Sequence, residues 1–184
     1  MNRESDAPKS GRGVTVEDGV EAAEARPGRL IVGRLHPGTD MIGGLEAACE
    51  QHGVRFAAVV ACYGSLSSSG FKFLQVPDGE SHPRLMPHAV DKRVEFMGGQ
   101  GLVCERPDGG RETHLHGSVS DETGAVLGGH FEPGRNPVFN NMDFVLQELL
   151  DVELIREQDP VTNTVEMKVL ALRPSHRSLP PVHP

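Results

Sequence analysis

Apolar positions along this chain come in short runs separated by glycine and proline. Leu30-Ile31-Val32-Gly33-Arg34-Leu35 reads as a strand that ends at His36-Pro37-Gly38. The period then changes. Met41, Ile42, Leu45, Ala48 and Cys49 recur at helical spacing, Thr39 or Asp40 can cap the helix, and His52-Gly53 closes it. Val54 to Tyr63 is nearly all apolar between two glycines, the pattern of a buried central strand. The Ser/Gly stretch 64–70 reads as a loop, and its Ser65 is a candidate substrate contact, because binding groups often sit on loops beside a rigid sheet. It leads into Phe71 to Val76. Residues 77–91, with three prolines, read as an excursion or a lid; their His82 and His88 read as solvent-exposed, with a ligand on a flexible lid as the alternative.

Val94 to Glu105 is a further strand, and Gly98-Gly99 inside it predicts a bulge or a close backbone approach. Pro107 to Gly110 is a tight turn. Val138 to Leu150 fits either a helix or a strand, while Val152–Glu157 and Thr164–Leu172 flank a hairpin turn. Residues 1–28 show no sustained apolar period and read as a mobile arm, residues 29–172 as one domain, and residues 173–184 as a tail.

Composition narrows the function classes. A net charge of -8 disfavours unaided binding to DNA or anionic membrane, because phosphate neutralisation needs concentrated Lys and Arg. No apolar run approaches a membrane span and the N-terminus lacks a signal-peptide pattern, so a cytoplasmic protein is expected. Cys49, Cys62 and Cys104 are odd in number and widely spaced, which fits reduced, buried thiols better than a disulfide framework; a metal-ligating Cys is the sharper alternative, but C-x-x-C spacing is missing.

The chemistry concentrates in Thr113-His114-Leu115-His116-Gly117-Ser118 and Gly128-Gly129-His130-Phe131-Glu132. In a strand, alternate side chains share a face, so His114 and His116 point the same way. A hairpin with a three-residue loop, Glu122 to Gly124, would use Gly124 at a left-handed position and set His130 opposite His116 and Glu132 opposite His114. A loop of two or four residues would put His130 on the other face. Three neutral imidazoles suit Zn²⁺ or another divalent transition metal and leave a fourth position for water or substrate. Glu132 is the first candidate for proton transfer, although an exposed strand carboxylate is an equal reading. Arg93 could clamp a carboxylate, or simply pair with Glu95 two residues away. No G-x-S-x-G elbow and no Walker loop is present.

Taken in order, Leu35-His36-Pro37-Gly38-Thr39-Asp40, Tyr63-Gly64-Ser65-Leu66, His114-Leu115-His116 with Ser118, Ser120 and Asp121, and Gly128-Gly129-His130 resemble the plant-and-prokaryote-conserved (PPC) domain family from about Arg29 to Leu172. The resemblance implies an α+β domain, a single antiparallel sheet packed by one or two helices, assembled as a homotrimer. It implies that the segment around Phe144 is a strand and that His114, His116 and His130 hold a zinc-type ion near a subunit boundary. Glu95 becomes a second proton-transfer candidate on family position alone. Plant members resembling transcription factors add an Arg-Gly-Arg-Pro hook for the minor groove; here only Gly11-Arg12-Gly13 is comparable, and Lys92 to Met97 keeps only Arg93 and Glu95 of the family's Gly-Arg-Phe-Glu-Ile-Leu block. The expected function is metal-assisted lyase, isomerase or hydrolase chemistry on a small anionic metabolite. The alternative is a DNA-binding or ligand-sensing module without catalysis.

Overall fold

The computed structural model describes residues 14–17, 19–76, 78–79, 84–160, 162 and 164–172. Its strands are β1 (Val14–Glu17), β2 (Val20–Ala23), β3 (Arg26–Leu35), β4 (Ala57–Leu66), β5 (Ser69–Gln75), β6 (Arg84–Val90), β7 (Val94–Glu105), β8 (Arg111–Ser120), β9 (Val126–Phe131), β10 (Val138–Leu150), β11 (Val152–Gln158) and β12 (Val165–Ala171). One helix, α1 (Met41–Gln51), lies between β3 and β4. The main sheet runs β3-β10-β4-β7-β8-β9-β5-β6, antiparallel throughout, with the β11–β12 hairpin joined to β7 by a single parallel bridge.

The helical period buries Met41, Ile42, Leu45, Ala48 and Cys49 against Ile31, Leu35, Val59 and Leu115 of the sheet, the single large core. Asp40 caps α1 through Oδ2, which accepts from the Gly43 amide at 2.9 Å, and Gly53 leaves the helix with φ of 62°. Alternation along β8 sends Thr113 and Leu115 into the interior and His114 and His116 to the opposite, outer face. All three cysteines are buried thiols; burial pushes Cys49 and Cys104 up to about 11 and Cys62 up to about 12.

A buried asparagine ties the helix start to the sheet. Asn136 is fully buried, and its Oδ1 accepts from Ser69 Oγ and the Gly70 amide, both at 3.0 Å. Its Nδ2 donates to the Gly70 and Glu132 carbonyls at 3.2 and 2.6 Å. Its amide donates to Asp40 Oδ1 at 3.0 Å, and its carbonyl accepts from the Met41 amide at 2.9 Å. Every polar atom of this side chain is paired, as a buried amide requires.

Several expectations change. Regular structure starts before Arg29. β1 and β2 form a hairpin, Glu21 Oε1 accepts from the Val169 amide at 3.0 Å, and Ala23 and Ala25 pack on the small cluster of Phe56, Cys104, Val152 and Leu154. β3 reaches back to Arg26 because Leu149 and Leu150 of β10 pair with Pro27 and Arg26, and Arg29 grips Glu148 at 2.8 Å. The Ser/Gly stretch is only a bend at Ser67-Ser68 between two strands. Much of the expected lid is β6, an edge strand, where Pro87 costs no inner ladder bond. His88 packs against Phe71 with tilted rings and edge-on to Phe73, with ring centroids 5.2 and 6.2 Å away. His82, the Gly11-Arg12-Gly13 stretch and the C-terminal tail lie outside the described residues. The ambiguous segment 138–150 is strand, and Gly98-Gly99 falls at a register shift in the β7–β8 ladder.

Asn136→Ala would strand two donors and two acceptors in the interior, at a cost of about 1–3 kcal/mol for each group left unpaired, less than additive. The expected outcome is a loss of about 3 kcal/mol with an unchanged slope in urea unfolding.

Candidate metal centre

The β8–β9 turn is the one its sequence predicts. Gly124 has φ of 81°, its amide donates to the Asp121 carbonyl at 2.9 Å, and the Asp121 amide donates to the Ala125 carbonyl at 3.0 Å. His116 therefore pairs with His130, Gly117 with Gly129 and Ser118 with Gly128. Glycines are required beside the histidines: a Cβ on Gly129 would stand 2.2 Å from the Lys72 carbonyl oxygen of β5, and one on Gly128 2.2 Å from that of Gly117.

The three histidines meet on the outer face, one ring nitrogen from each lying within 4.8 Å of the other two, and His114 Nε2 is 3.0 Å from His116 Nε2. A tetrahedral ion bonded at about 2.0–2.1 Å needs donor separations of about 3.4 Å. The His114–His116 separation is already close to that, and three imidazole nitrogens are a donor set that fits a borderline-soft divalent ion. The rings wall a cavity of about 520 Å³ that is also lined by Lys72, Leu74 and Arg156. Burial holds His114 well below an ordinary imidazole, to about 4, with the Arg156 charge acting the same way; burial and then the neighbouring His116 lower His130.

Glu132 does not stand across from His114. The β8–β9 pairing ends at His116 and His130; the Glu132 amide donates to the Gly70 carbonyl at 3.1 Å, pulled toward β5 by the same turn that Asn136 holds. Its Oε1 takes Lys72 Nζ at 2.6 Å, while Oε2 is buried without a hydrogen bond, 3.6 Å from Arg135 Nη1. Lys72 pairs with His130 across the β5–β9 ladder, so this carboxylate stays close to the histidines.

Glu95, Arg93 and Ser65 lie elsewhere, around a second cavity of about 450 Å³ with Phe139, Asn140 and Asp121. Arg93 does not pair with Glu95: its guanidinium lies 4.1 Å over the Phe139 ring, a cation–π contact. Ser65 Oγ accepts from the Asn140 amide at 3.2 Å. Sequence reasoning missed Arg156, Glu112 and Lys72. An arginine following Val152 and Leu154 at an inward-facing position of β11 was the available signal; 42 residues separate it from His114.

An antiparallel sheet backed by one helix, with three imidazoles gathered on its outer face, defines the class of this protein. The chain belongs to the Plants and Prokaryotes Conserved (PCC) domain family, which residues 22–150 match. It is 29% identical over 155 residues to Bifunctional protein GlmU of Synechococcus sp. (strain JA-3-3Ab), covering 80% of this chain and 23% of that protein. Over 136 residues it is 31% identical to Bifunctional protein GlmU of strain JA-2-3B'a(2-13), covering 74% and 19%. The chain thus spans about a fifth of the length of the curated relatives it matches. Among solved structures it resembles a metal-containing protein from Archaeoglobus fulgidus, with TM-score 0.66 and 21% identity, over 82% of this chain and 97% of that one. A PPC protein from Pyrococcus horikoshii gives 0.64 and 22%, over 78% and 94%. A Ralstonia eutropha JMP134 protein named "Putative DNA-binding protein" gives 0.61 and 21%, over 74% and 89%. At these identities the likeness concerns the fold. No helix among the described residues is long and apolar enough to cross a membrane.

An unfolded histidine titrates near 6.5 and folded His114 near 4, so between those values the unfolded chain binds the extra proton. Stability of the metal-free protein should therefore fall as pH drops through that window. NMR titration of the His114 imidazole should give a midpoint of about 4.

Proposed function

We propose that this chain is a cytoplasmic, homotrimeric metal protein that binds a small anionic metabolite beside a zinc-type ion held by His114, His116 and His130. The observation that carries this reading is the convergence of three imidazoles in one cavity that also holds Lys72 and Arg156. Zn²⁺ or a similar divalent ion supplies Lewis acidity and an acidified water when bound. The chain's own part is to keep His114 and His130 neutral, to present cationic donors to the anion, and to carry protons. Glu132 is the nearer proton carrier, since Lys72 holds it next to His130 and one of its oxygens is buried without a hydrogen bond. Glu95, with Arg93 and Ser65 as substrate contacts, belongs to the second cavity and would reach an ion only across a subunit boundary. Exposed Leu30, Val32 and Val60 on β3 and β4 offer apolar surface for a trimer to cover. Lyase, isomerase or hydrolase chemistry would follow from such a site.

A second reading, a DNA-binding or ligand-sensing module, is favoured by the name of the Ralstonia relative. The net charge of -8 weighs against the DNA form.

Metal content decides between them. Protein purified without an affinity tag should carry about one zinc-type ion per chain, and His116→Ala should carry none while keeping its trimer by light scattering. Absence of metal in both, even after reconstitution at neutral pH, would shift the assignment to the binding module. Affinity for DNA that falls steeply with salt would then identify its DNA form.

A further inference from the structure

Most of the described arginines and lysines meet a carboxylate, and Arg93 meets none. It is held instead by the Phe139 ring, whose centroid lies 4.1 Å from the guanidinium carbon. A cation–π contact consumes no hydrogen bond, so every N–H of this guanidinium is without an acceptor among the described residues. Glu95 follows two residues on. It meets no lysine or arginine among the described residues, and its cross-strand neighbours are neutral, Ser65 on β4 and Ser120 on β8. Val94 and Phe96 are buried, so strand alternation sends Arg93 and Glu95 to the same outer side, where both line the cavity of about 450 Å³.

The other charges at this cavity are engaged. Lys92 Nζ meets Asp121 Oδ2 at 3.0 Å and stands 3.8 Å from Glu122 Oε1. The cavity therefore presents one cation and one anion that the described fold pairs with nothing, their Cβ atoms roughly 7 Å apart on one extended segment. A simple anion drawn to Arg93 would be repelled by Glu95, and a simple cation drawn to Glu95 would be repelled by Arg93. A molecule carrying both charges satisfies both. Ser65 adds a neutral contact: its Oγ accepts from the Asn140 amide at 3.2 Å, which leaves the hydroxyl proton to donate. We propose that this cavity binds a small zwitterion of the α-amino-acid class, its carboxylate on the Arg93 guanidinium and its ammonium on the Glu95 carboxylate. The inference goes beyond the reading above, because it gives Arg93, Glu95 and Ser65 a ligand of their own that needs no ion.

The test is an NMR titration of the whole chain with each common L-amino acid in turn, following the backbone amides of Ser65, Glu95 and Asn140. At least one amino acid should move them saturably, in wild type and in metal-free His116→Ala alike. For that amino acid, the amine without its carboxylate and the acid without its amino group should each bind at least about tenfold more weakly, the scale of a lost hydrogen bond to a charged group. Arg93→Gln should abolish the preference for the amino acid over its amine, and Glu95→Gln the preference over the deaminated acid. No shift with any amino acid would overturn the proposal, and so would a deaminated acid that binds wild type as tightly as its amino acid. The ligand comparison on wild type needs no substitution, so it stands even if a variant fails to fold. The two readings fail separately. A wild-type protein without metal removes the histidine centre and leaves amino-acid binding in place, whereas loss of amino-acid binding removes this site and leaves the metal content unchanged.

Discussion

The turn between β8 and β9 is the constraint on which the site depends. Side chains in a strand alternate with a period of two, so a slip of one residue in this hairpin would carry His130 to the helix side of the sheet. Asp121 prevents the slip. Its Oδ1 accepts from the Thr123 amide at 2.8 Å, the Thr123 hydroxyl at 2.6 Å and the Ala125 amide at 3.1 Å, while Oδ2 meets Lys92 Nζ at 3.0 Å. These bonds favour the carboxylate and hold its pKa well below the usual range, the Thr123 hydroxyl contributing most. Gly124 supplies the positive φ that a residue with a Cβ adopts at a cost. Five residues on the rim of the sheet thus set which face a histidine six positions beyond Gly124 presents.

At the other end of β9 a different device takes over. Pro133 to Pro137 must turn the chain into β10, and Asn136 anchors that turn to β5 and to the start of α1. Its bond to the Glu132 carbonyl, with the Glu132 amide on Gly70, aligns the end of β9 with β5 rather than with β8. The histidine face is therefore bounded on one side by a turn that fixes register and on the other by a buried amide that ends it. Both are local polar networks, and both act on packing through the backbone.

This division explains what could be read from the chain. The β8–β9 register, the capped helix, the bulge at Gly98-Gly99 and the buried cysteines rest on short-range patterns, and each was legible. Glu132 was not placed correctly, because the register rule holds only while the ladder continues, and Asn136 ends it through partners about 66 residues away. β1 and β2 are four residues each, too short to show a sustained apolar period, and the first residues of β3 lack one; β1 and β2 pair with each other and touch β12, and β3 is extended by pairing with β10, none of which leaves a mark on the local sequence. β6 looked like a lid because prolines argue against a central strand, and an edge strand satisfies that objection without being a lid. Arg156 escaped because an arginine in an otherwise ordinary strand shows its purpose only when β11 joins β7 and the side chain reaches Glu112 and His114 of β8. The match to a family known by ordered motifs resolved the helix-or-strand ambiguity of β10, which periodicity alone left open.

The charges of the described residues bear on what such a protein can bind. Arg26 meets Asp151, Arg29 meets Glu148, Arg55 meets Glu105 and Glu153, Lys92 meets Asp121 and Arg106 meets Asp108. The cation of each pair is exposed, which keeps its energetic value small, though the Glu148 carboxylate is buried; each pair still cancels a positive charge that a phosphate backbone would use. The cations that line the histidine cavity are paired as well, Lys72 with Glu132 and Arg156 with Glu112, yet they sit where solvent screens them less. Adding a divalent ion to three neutral imidazoles would change the local charge by two without adding a counter-charge, the largest electrostatic event available to this surface. Attraction for an anion would then be confined to one cavity and conditional on the metal. That favours recognition of a small anion at a point over a polyanion along a face.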